Sequence, residues 1–520
     1  MEKNKSRIYN STKNIAFGFG NQILITLLNF ASRFIFIKIL GEEYLGINGL
    51  FSNILTVLSL ADLGIGNAIT YSMYKPLAEG NKEKISALMN FYRKMYNIIA
   101  VAVTVIGLCM LPFLELLVNT EQPVPHLHIY FILFLADSVV SYLLANRSAI
   151  LTADQKLYIT KAYQLVFQIL KSIFQIIVLL ITHNFIFYLI VQVLSTFASN
   201  VCGAIITKKI YPFLNKKAEL KKAELKKSEK KKIFGNIKSV FIYKISGVIL
   251  NNTDNILISV IVGTVSVGYY SNYTMIVNAI TTFTNIVFSA INSSVGNLNT
   301  EKNKEKQLKI FYVINMLCNW LFGFCTICLL VLVNDFITLM FGEKYVLDIF
   351  TTFIIGINFY MAGSLNPIWI YRDTTGLFKE TKYVATITAI LNIILSILLG
   401  NIWGIFGILV ATAISRLLTN IWYEPHVLFK SFFKTSAKPY IKKQLKNVIC
   451  LLTSYALISL IFSGLGNPTI ISFVVKIFVS VVLSNLFYWL MNRKTEEYQY
   501  IKENVLLKYI QKIKRILHRA

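Results

Sequence analysis

Charge is scarce in this chain, and acid is scarcer still. Of 520 residues only 15% are Asp, Glu, Lys or Arg, with 25 carboxylates against 52 cations, while 55% are hydrophobic. A chain so poor in polar surface cannot be an ordinary soluble enzyme. The six cysteines sit inside apolar runs, which excludes the disulfide framework of a small secreted domain. No Gly-x-x-x-x-Gly-Lys-[Ser/Thr] loop occurs, so the chain has no P-loop of its own to cradle ATP. Any drive must come from an ion gradient, with Na+ or H+ as the coupling ion, from the substrate's own gradient, or from a partner. Cys325 and Cys328 form a Cys-x-x-Cys without a second pair, and His126 and His128 stand without further ligands. Zinc takes four, so no resident cofactor is expected.

What the chain has in abundance is long apolar runs. They extend from Thr12 to Leu40, Leu45 to Tyr71, Phe91 to Leu117, Ile129 to Ile150, Tyr158 to Ile181 and Phe185 to Thr207. After a polar break come Val240 to Val262, Val267 to Val295, Ile310 to Val333, Leu347 to Tyr371, Tyr383 to Leu399 and Ile402 to Tyr423. A last pair covers Val448 to Phe462 and Thr469 to Met491. Each is long enough to cross hydrocarbon as a helix, which satisfies its own backbone polar groups. Continuous rather than alternating hydrophobicity excludes a barrel.

Every second connection is basic. The lead carries Lys3, Lys5, Arg7 and Lys13; later connections carry Lys75, Lys82 and Lys84, then Arg147, Lys156 and Lys161, then a Lys-rich stretch after Thr207. Further on come Lys302, Lys304, Lys306 and Lys309, then Arg372, Lys379 and Lys382, then Lys430 to Lys446, then the tail. The intervening loops hold only Lys38 and Lys344. By the positive-inside rule both termini are cytoplasmic, and the excess of +27 is an orientation signal rather than a nucleic-acid footprint. The first run is too long, and its lead too polar, for a cleavable signal peptide.

Gly41 to Lys84 aligns without a gap on Gly263 to Lys306, at an offset of 222, with 11 identities in 44 positions. These include Gly41/Gly263, Gly46/Gly268, Ala68/Ala290, Ile69/Ile291 and the whole of Asn81-Lys-Glu-Lys84 over Asn303-Lys-Glu-Lys306. Arg147 and Arg372 lie at a similar spacing, 225. The repeating unit is six helices. An even number of crossings gives both copies the same orientation, related by an axis along the membrane normal, with a cleft at their interface where repeat-built transporters bind substrate. The expectation is an all-α polytopic membrane protein of fourteen transmembrane helices: two six-helix repeats related by a pseudo-two-fold plus a final pair. Its parts are a first bundle at 1–215, a Lys-rich cytoplasmic linker at 216–238, a second bundle at 239–429, the last pair at 430–492, and a basic amphipathic tail at 493–520.

Charges inside spans are costly and mark bundle interiors or watery cavities. Arg33 lies in the first run, Asp62 in the second, Asp137 and Lys171 in the fourth and fifth, Asp254 in the seventh. Lys244 and Arg416 complete the set, with Lys476 near enough to its end to snorkel. Arg33 reads either as an anion-binding cation, since a guanidinium matches phosphate bidentately, or as the structural partner of Asp254. Asp137 pairs naturally with Lys171. Asp62 suits close packing or substrate contact, and Asp254, within Asn251-Asn-Thr-Asp-Asn255, a cation site, a cleft lining or a polar helix interface. The doubled Lys-Lys-Ala-Glu-Leu after Lys216 suits anionic lipid head groups. Tyr498, Ile501, Val505, Tyr509, Ile513 and Ile516 recur at helical spacing, as on a helix lying on the inner leaflet.

The order of the helices, the turn Gly41-Glu-Glu-Tyr-Leu-Gly46 followed by Leu60-Ala-Asp-Leu-Gly-Ile-Gly-Asn-Ala-Ile69, and the doubled six plus two resemble the Wzx-type polysaccharide flippases. Their superfamily, MOP, also holds MATE multidrug exporters and lipid II flippases. The resemblance implies translocation of undecaprenyl-diphosphate-linked oligosaccharide across a bacterial cytoplasmic membrane. A polysaccharide polymerase and glycosyltransferases are the implied partners, and capsule, exopolysaccharide or O-antigen the product. The charges inside the spans suggest a substrate site among Arg33, Asp62, Asp254 and Arg416, and the resemblance implies a cavity arginine, here Arg33, and a coupling-cation site at Asp254 with Asn392. Arg33 is the only arginine in the middle of the first helix, a departure from the fuller arginine cluster of lipid II flippases. A MATE-like exporter would want acidic and aromatic cavity residues in excess, whereas the spans hold about as many cations as anions; a membrane-embedded glycosyltransferase would need a large extracytoplasmic loop, and the longest outer loop is only about a dozen residues.

Overall fold

The computed structural model describes residues 2–59, 65–121, 123–144, 146–154, 156–215, 225, 229, 245–250, 252–299, 301, 303–464 and 466–506. Among these, regular structure is entirely helical. The first half runs α1 (Glu2–Leu40), α2 (Glu42–Leu58), α3 (Ile65–Ala78), α4 (Lys82–Met110, continued by Leu111–Phe113 and Leu114–Leu117), α5 (Leu127–Tyr142), α6 (Asn146–Ala153), α7 (Leu157–Thr182) and α8 (Phe185–Ile210). The second runs α9 (Ile245–Ile261), α10 (Thr264–Leu298), α11 (Lys304–Phe341), α12 (Ile349–Ser364), α13 (Asn366–Thr375), α14 (Phe378–Leu418), α15 (Asn420–Leu428), α16 (Lys438–Phe462), α17 (Ile470–Asn492) and α18 (Glu496–Ile501).

Nine helices among the described residues are long and apolar enough to cross a membrane, ten if α5 and the part of α6 from Arg147, bent by 50°, count as one span. The chain is an all-α, polytopic membrane protein. The second apolar run is divided between α2 and α3, and the residues joining them, Asp62 included, lie outside the described set.

The eleventh and twelfth runs form a single stretch of helix with one break, at Gly404, whose φ of 58° and ψ of −135° no helix contains. The two legs of α14 fold back on each other there. Gly407 lies against the Leu399 carbonyl so closely that a Cβ would collide with it, and a Cβ on Gly400 would stand 2.8 Å from Ile408. Further from the turn, Asn392 donates to Thr412 at 2.9 Å and Thr388 to Asn420 at 2.6 Å. Residue numbers that rise on one leg fall on the other, which is antiparallel pairing, so α14 contains two legs where a simple count finds one.

By contact density the chain separates into two compact units: Met1–Ser271 with Ile393–Ile408, and Asn272–Asn392 with Leu409–Ala520. In the first, α7 pairs with α8, α8 with α5, and α1 with α7. The chain around α9 joins this unit through polar ties. Ser259 donates to the Leu117 carbonyl at 2.6 Å, the Asn119 amide bonds the Thr264 hydroxyl at 2.9 Å, and the Thr264 amide returns to the Asn119 carbonyl at 2.7 Å. In the second unit α11 is the most enclosed span, packed by α12, α16, α17 and α18. Phe311 anchors an aromatic cluster with Tyr371, Phe429 and Phe433 at 5.3 to 5.4 Å.

The repeat is visible in local geometry. Asn81 and Asn303 cap α4 and α11 identically, each side chain accepting from the amide three residues on at 2.9 Å. Gly41 and Gly263 both take positive φ, 85° and 136°. Gly46 and Gly268 touch. A Cβ on Gly46 would run into the Thr264 carbonyl oxygen, and one on Gly268 would stand 3.1 Å from that of Glu42. Thr264 is the equivalent of Glu42 at the 222 offset, so residue i of one copy meets residue j of the other and the reverse. That reciprocity is what a two-fold operator produces, and small residues allow the backbones to approach this closely.

Candidate substrate-binding site

Arg33 stands in α1, eight residues before Gly41, half-buried. Its guanidinium donates to the hydroxyl of Ser271, which in turn donates to the Gly268 carbonyl at 2.7 Å. Ser271 is therefore held at the glycine contact and holds Arg33 in turn. Tyr188 of α8 is the ionisable neighbour of Arg33, and its ring lies 5.2 Å from Phe36. Phe185, Tyr44 and Tyr130 continue the aromatic cluster at 5.0 to 5.9 Å, so the charge sits beside a rigid apolar floor. A guanidinium in such a place has the fork geometry that matches an oxyanion.

The copies differ at this point. The equivalent of Arg33 is Asn255, and the equivalent of Ser271 is Gly49. Gly49 has no side chain to offer, and Asn255, 8% exposed, leaves its Oδ1 without a hydrogen bond among the described residues. The two-fold is broken where the charge is.

Asp254 is buried on α9 beside Asn255. Arg416 donates from Nη1 to the Asn358 carbonyl at 3.2 Å. Asn392 is fully buried inside the α14 hairpin, bonded to Thr412. Asp62 and Lys244 lie outside the described residues. Among the described residues no group of three or more His, Cys, Asp or Glu side chains is placed to hold a metal ion.

Three expected arrangements are corrected. Asp137 is not hydrogen-bonded by Lys171: its carboxylate accepts from Gln192 at 2.7 Å and Thr196 at 2.6 Å, both on α8, and acts on that lysine only across space. Lys476 does not snorkel but pairs with Asp335 at 2.6 Å, both largely buried. The start of the tail is docked rather than lying free: Tyr498 stacks on Trp320 at 6.4 Å and accepts from Trp489 at 3.1 Å, while Glu497, 9% exposed, pairs with Lys443. Residues 507–520 lie outside the described set.

A site missed in the sequence is the ion network around Arg372, which the basic-loop pattern reads only as an orientation charge. Arg372 is 5% and Glu424 1% exposed. Nη1 of Arg372 stands 3.6 Å from Glu424 Oε2, which also accepts from Trp369 at 2.9 Å, while Oε1 accepts from Asn420 at 2.7 Å. Asp373 takes Nε and Nη2 of the same arginine at 3.0 and 2.9 Å. Asp373 is adjacent in sequence, but Glu424 is 52 residues away, a partner that sequence spacing does not reveal.

A family model described as polysaccharide biosynthesis protein matches residues 11–292, more than half of the chain. The chain belongs to that family. Among solved structures, the lipid II flippase MurJ in an inward closed conformation superposes with a TM-score of 0.61 at 16% identity, over 92% of this chain and 99% of that one. An inward-facing multidrug resistance MATE family transporter of the MOP superfamily gives 0.57 at 14% identity, over 76% and 93%. A MATE transporter in the bent conformation gives 0.51 at 12%, over 79% and 94%. These likenesses establish a shared fold for this family member. No curated protein matches it in sequence.

Proposed function

We propose that this member of the polysaccharide biosynthesis family is a flippase, not an enzyme. It moves undecaprenyl-diphosphate-linked oligosaccharide across the bacterial cytoplasmic membrane by alternating access of its two repeat copies, both termini lying in the cytoplasm and fourteen crossings between them. A diphosphate head group cannot enter hydrocarbon unaided, because an unpaired charge there is strongly disfavoured. The observation that carries the reading is Arg33: a half-buried guanidinium within a span, fixed by Ser271 where equivalent residues of the two copies meet. In this reading Arg33 takes the diphosphate, with Asp62, Asp254 and Arg416 as the remaining substrate-side charges. Asp254 and Asn392 bind the coupling cation, Na+ or H+. The Lys-rich linker meets anionic lipids, and a polymerase with glycosyltransferases supplies and consumes the cargo.

The experiment is complementation of a strain lacking its polysaccharide flippase. The native chain restores surface polysaccharide and gives no drug efflux in a sensitive host. Efflux without polysaccharide would replace the reading with a MATE-like exporter.

A further inference from the structure

Helix α7 is open on two opposite faces. At helical spacing Val166, Leu170, Ile173, Ile177 and Leu180 are all exposed and all apolar, as befits the face a span turns to lipid. Gln164, Gln168, Lys171 and Gln175 recur at a similar spacing. A turn of about 100° per residue puts these four within an arc of about 60°, roughly opposite the apolar five.

Exposure falls steadily along this polar face. Gln164 is exposed, Gln168 and Lys171 are half-buried, and Gln175 and then Leu179 are buried. Gln175 closes the face by donating to the Tyr188 carbonyl at 3.4 Å, and the Tyr188 hydroxyl shares a hydrogen bond with Ser32, the residue before Arg33. The open end is the one that carries Lys156 and Lys161, cytoplasmic in the proposed orientation. From there the face runs roughly 16 Å along the axis, from Gln164 to Gln175, toward the neighbours of Arg33. An amide turned to hydrocarbon would lose its hydrogen bonds to water, so a face that is both polar and open within a span looks onto a wet passage. The repeat does not require it. The eleventh run, fifth of the second copy, holds neither Gln nor a charged residue from Tyr383 to Leu399.

Each glutamine amide offers an acceptor oxygen and two donor hydrogens, the mixture that a sugar hydroxyl, itself donor and acceptor, can use. Among the described residues no hydrogen bond engages Gln164 or Gln168. The charge of Lys171 is set against Asp137 across space, so the face suits neutral hydroxyls better than a second phosphate. We propose that Gln164 and Gln168, with Lys171 as a further donor, bind the sugar hydroxyls of the cargo while its diphosphate is held at Arg33. This rests on the flippase reading and deepens it with a carbohydrate subsite: the glycan lies along α7, from the neighbourhood of Arg33 back to the open end.

The test uses the full chain in phosphatidylcholine nanodiscs and two probes: the lipid-linked oligosaccharide extracted from the host whose flippase the chain replaces, and undecaprenyl diphosphate carrying no sugar. The native chain should hold the first more tightly. Replacing Gln164 and Gln168 together by Leu, which keeps their bulk and removes their hydrogen bonding, should weaken the oligosaccharide lipid by about tenfold and leave the bare diphosphate within about twofold. Arg33→Ala should weaken both. Equal binding of the two probes by the native chain, an unchanged oligosaccharide affinity in the double variant, or an equal loss of both probes in it would each overturn the subsite while the flippase reading stands. Failure of the native chain to bind either probe would sink both together. A second measurement needs no ligand. Gln168→Cys should react with a charged, water-soluble thiol reagent beyond the level of the native chain's own cysteines, and Leu170→Cys on the lipid face should not; equal labelling of the two would remove the wet face.

Discussion

Gly46 and Gly268, 222 positions apart in sequence, lie in contact, and each faces the carbonyl of the other copy's position 42. Adding a methyl to Gly46 forces the backbones apart at a place where no side chain can yield. Gly46→Ala is expected to destabilise the chain by roughly 1–3 kcal/mol, in the range of overpacking. Gly247→Ala, with open space around it, should change little. Thermal unfolding in detergent compares the two; equal midpoints would contradict the contact.

Ser271 positions Arg33 without being the charge itself. Ser271→Ala should lower the maximal rate of transport about tenfold or more while Ser271→Thr, which keeps the hydroxyl, retains most of it, since a bond to a charged group contributes about 1.5–3 kcal/mol. Equal loss in both variants would point to packing rather than to the hydroxyl.

The Arg372–Glu424 pair is buried, so removing the arginine strands the acid, whereas Arg372 without Glu424 keeps its bonds to Asp373. Arg372→Met is expected to destabilise by about 3–5 kcal/mol, and replacing Arg372 with Met and Glu424 with Leu together should cost less than the two single changes summed. A double-mutant cycle on unfolding midpoints measures this; additive losses would contradict the pairing.

Outside the spans, Asp154 bonds Lys156 at 2.7 Å and accepts from Tyr211 at 2.6 Å. Burial pushes its carboxyl up, but these two donors outweigh it and hold the pKa below the usual 3.8. Burial and that same bond raise Tyr211. A depressed acid contributes stability that is present above its unfolded pKa and lost as pH falls through the folded value. The lower melting point of Asp154→Asn should therefore be the same at about pH 7 and about pH 5, and vanish only in stronger acid. A deficit that disappears already at pH 5 would contradict the assignment.

Much of the fold is legible in the sequence because lipid simplifies the problem: apolar run length alone fixes the span from Leu157 to Thr182 and that from Phe185 to Ile210. The repeat is legible from Asn81-Lys-Glu-Lys84 and Asn303-Lys-Glu-Lys306, since a cap is a local device. Arg33 is legible as a rare charge in a span. Its partner Ser271 is not, because a serine in an apolar helix has no signature until another helix is laid across it. Nor are Asp137 with Gln192 and Arg372 with Glu424, where the choice of partner depends on which helix faces are brought together. A loop arginine and a buried one read alike until the acid on α15 is seen.

The central claim is that Arg33 carries the head group across. The most direct measurement is the flipping rate of a fluorescent undecaprenyl-diphosphate-linked oligosaccharide in proteoliposomes holding equal amounts of native, Arg33→Lys and Arg33→Ala chain. The account predicts a loss of about tenfold or more for Arg33→Ala and a smaller one for Arg33→Lys, which keeps the charge but not the fork. Equal rates in all three would contradict it.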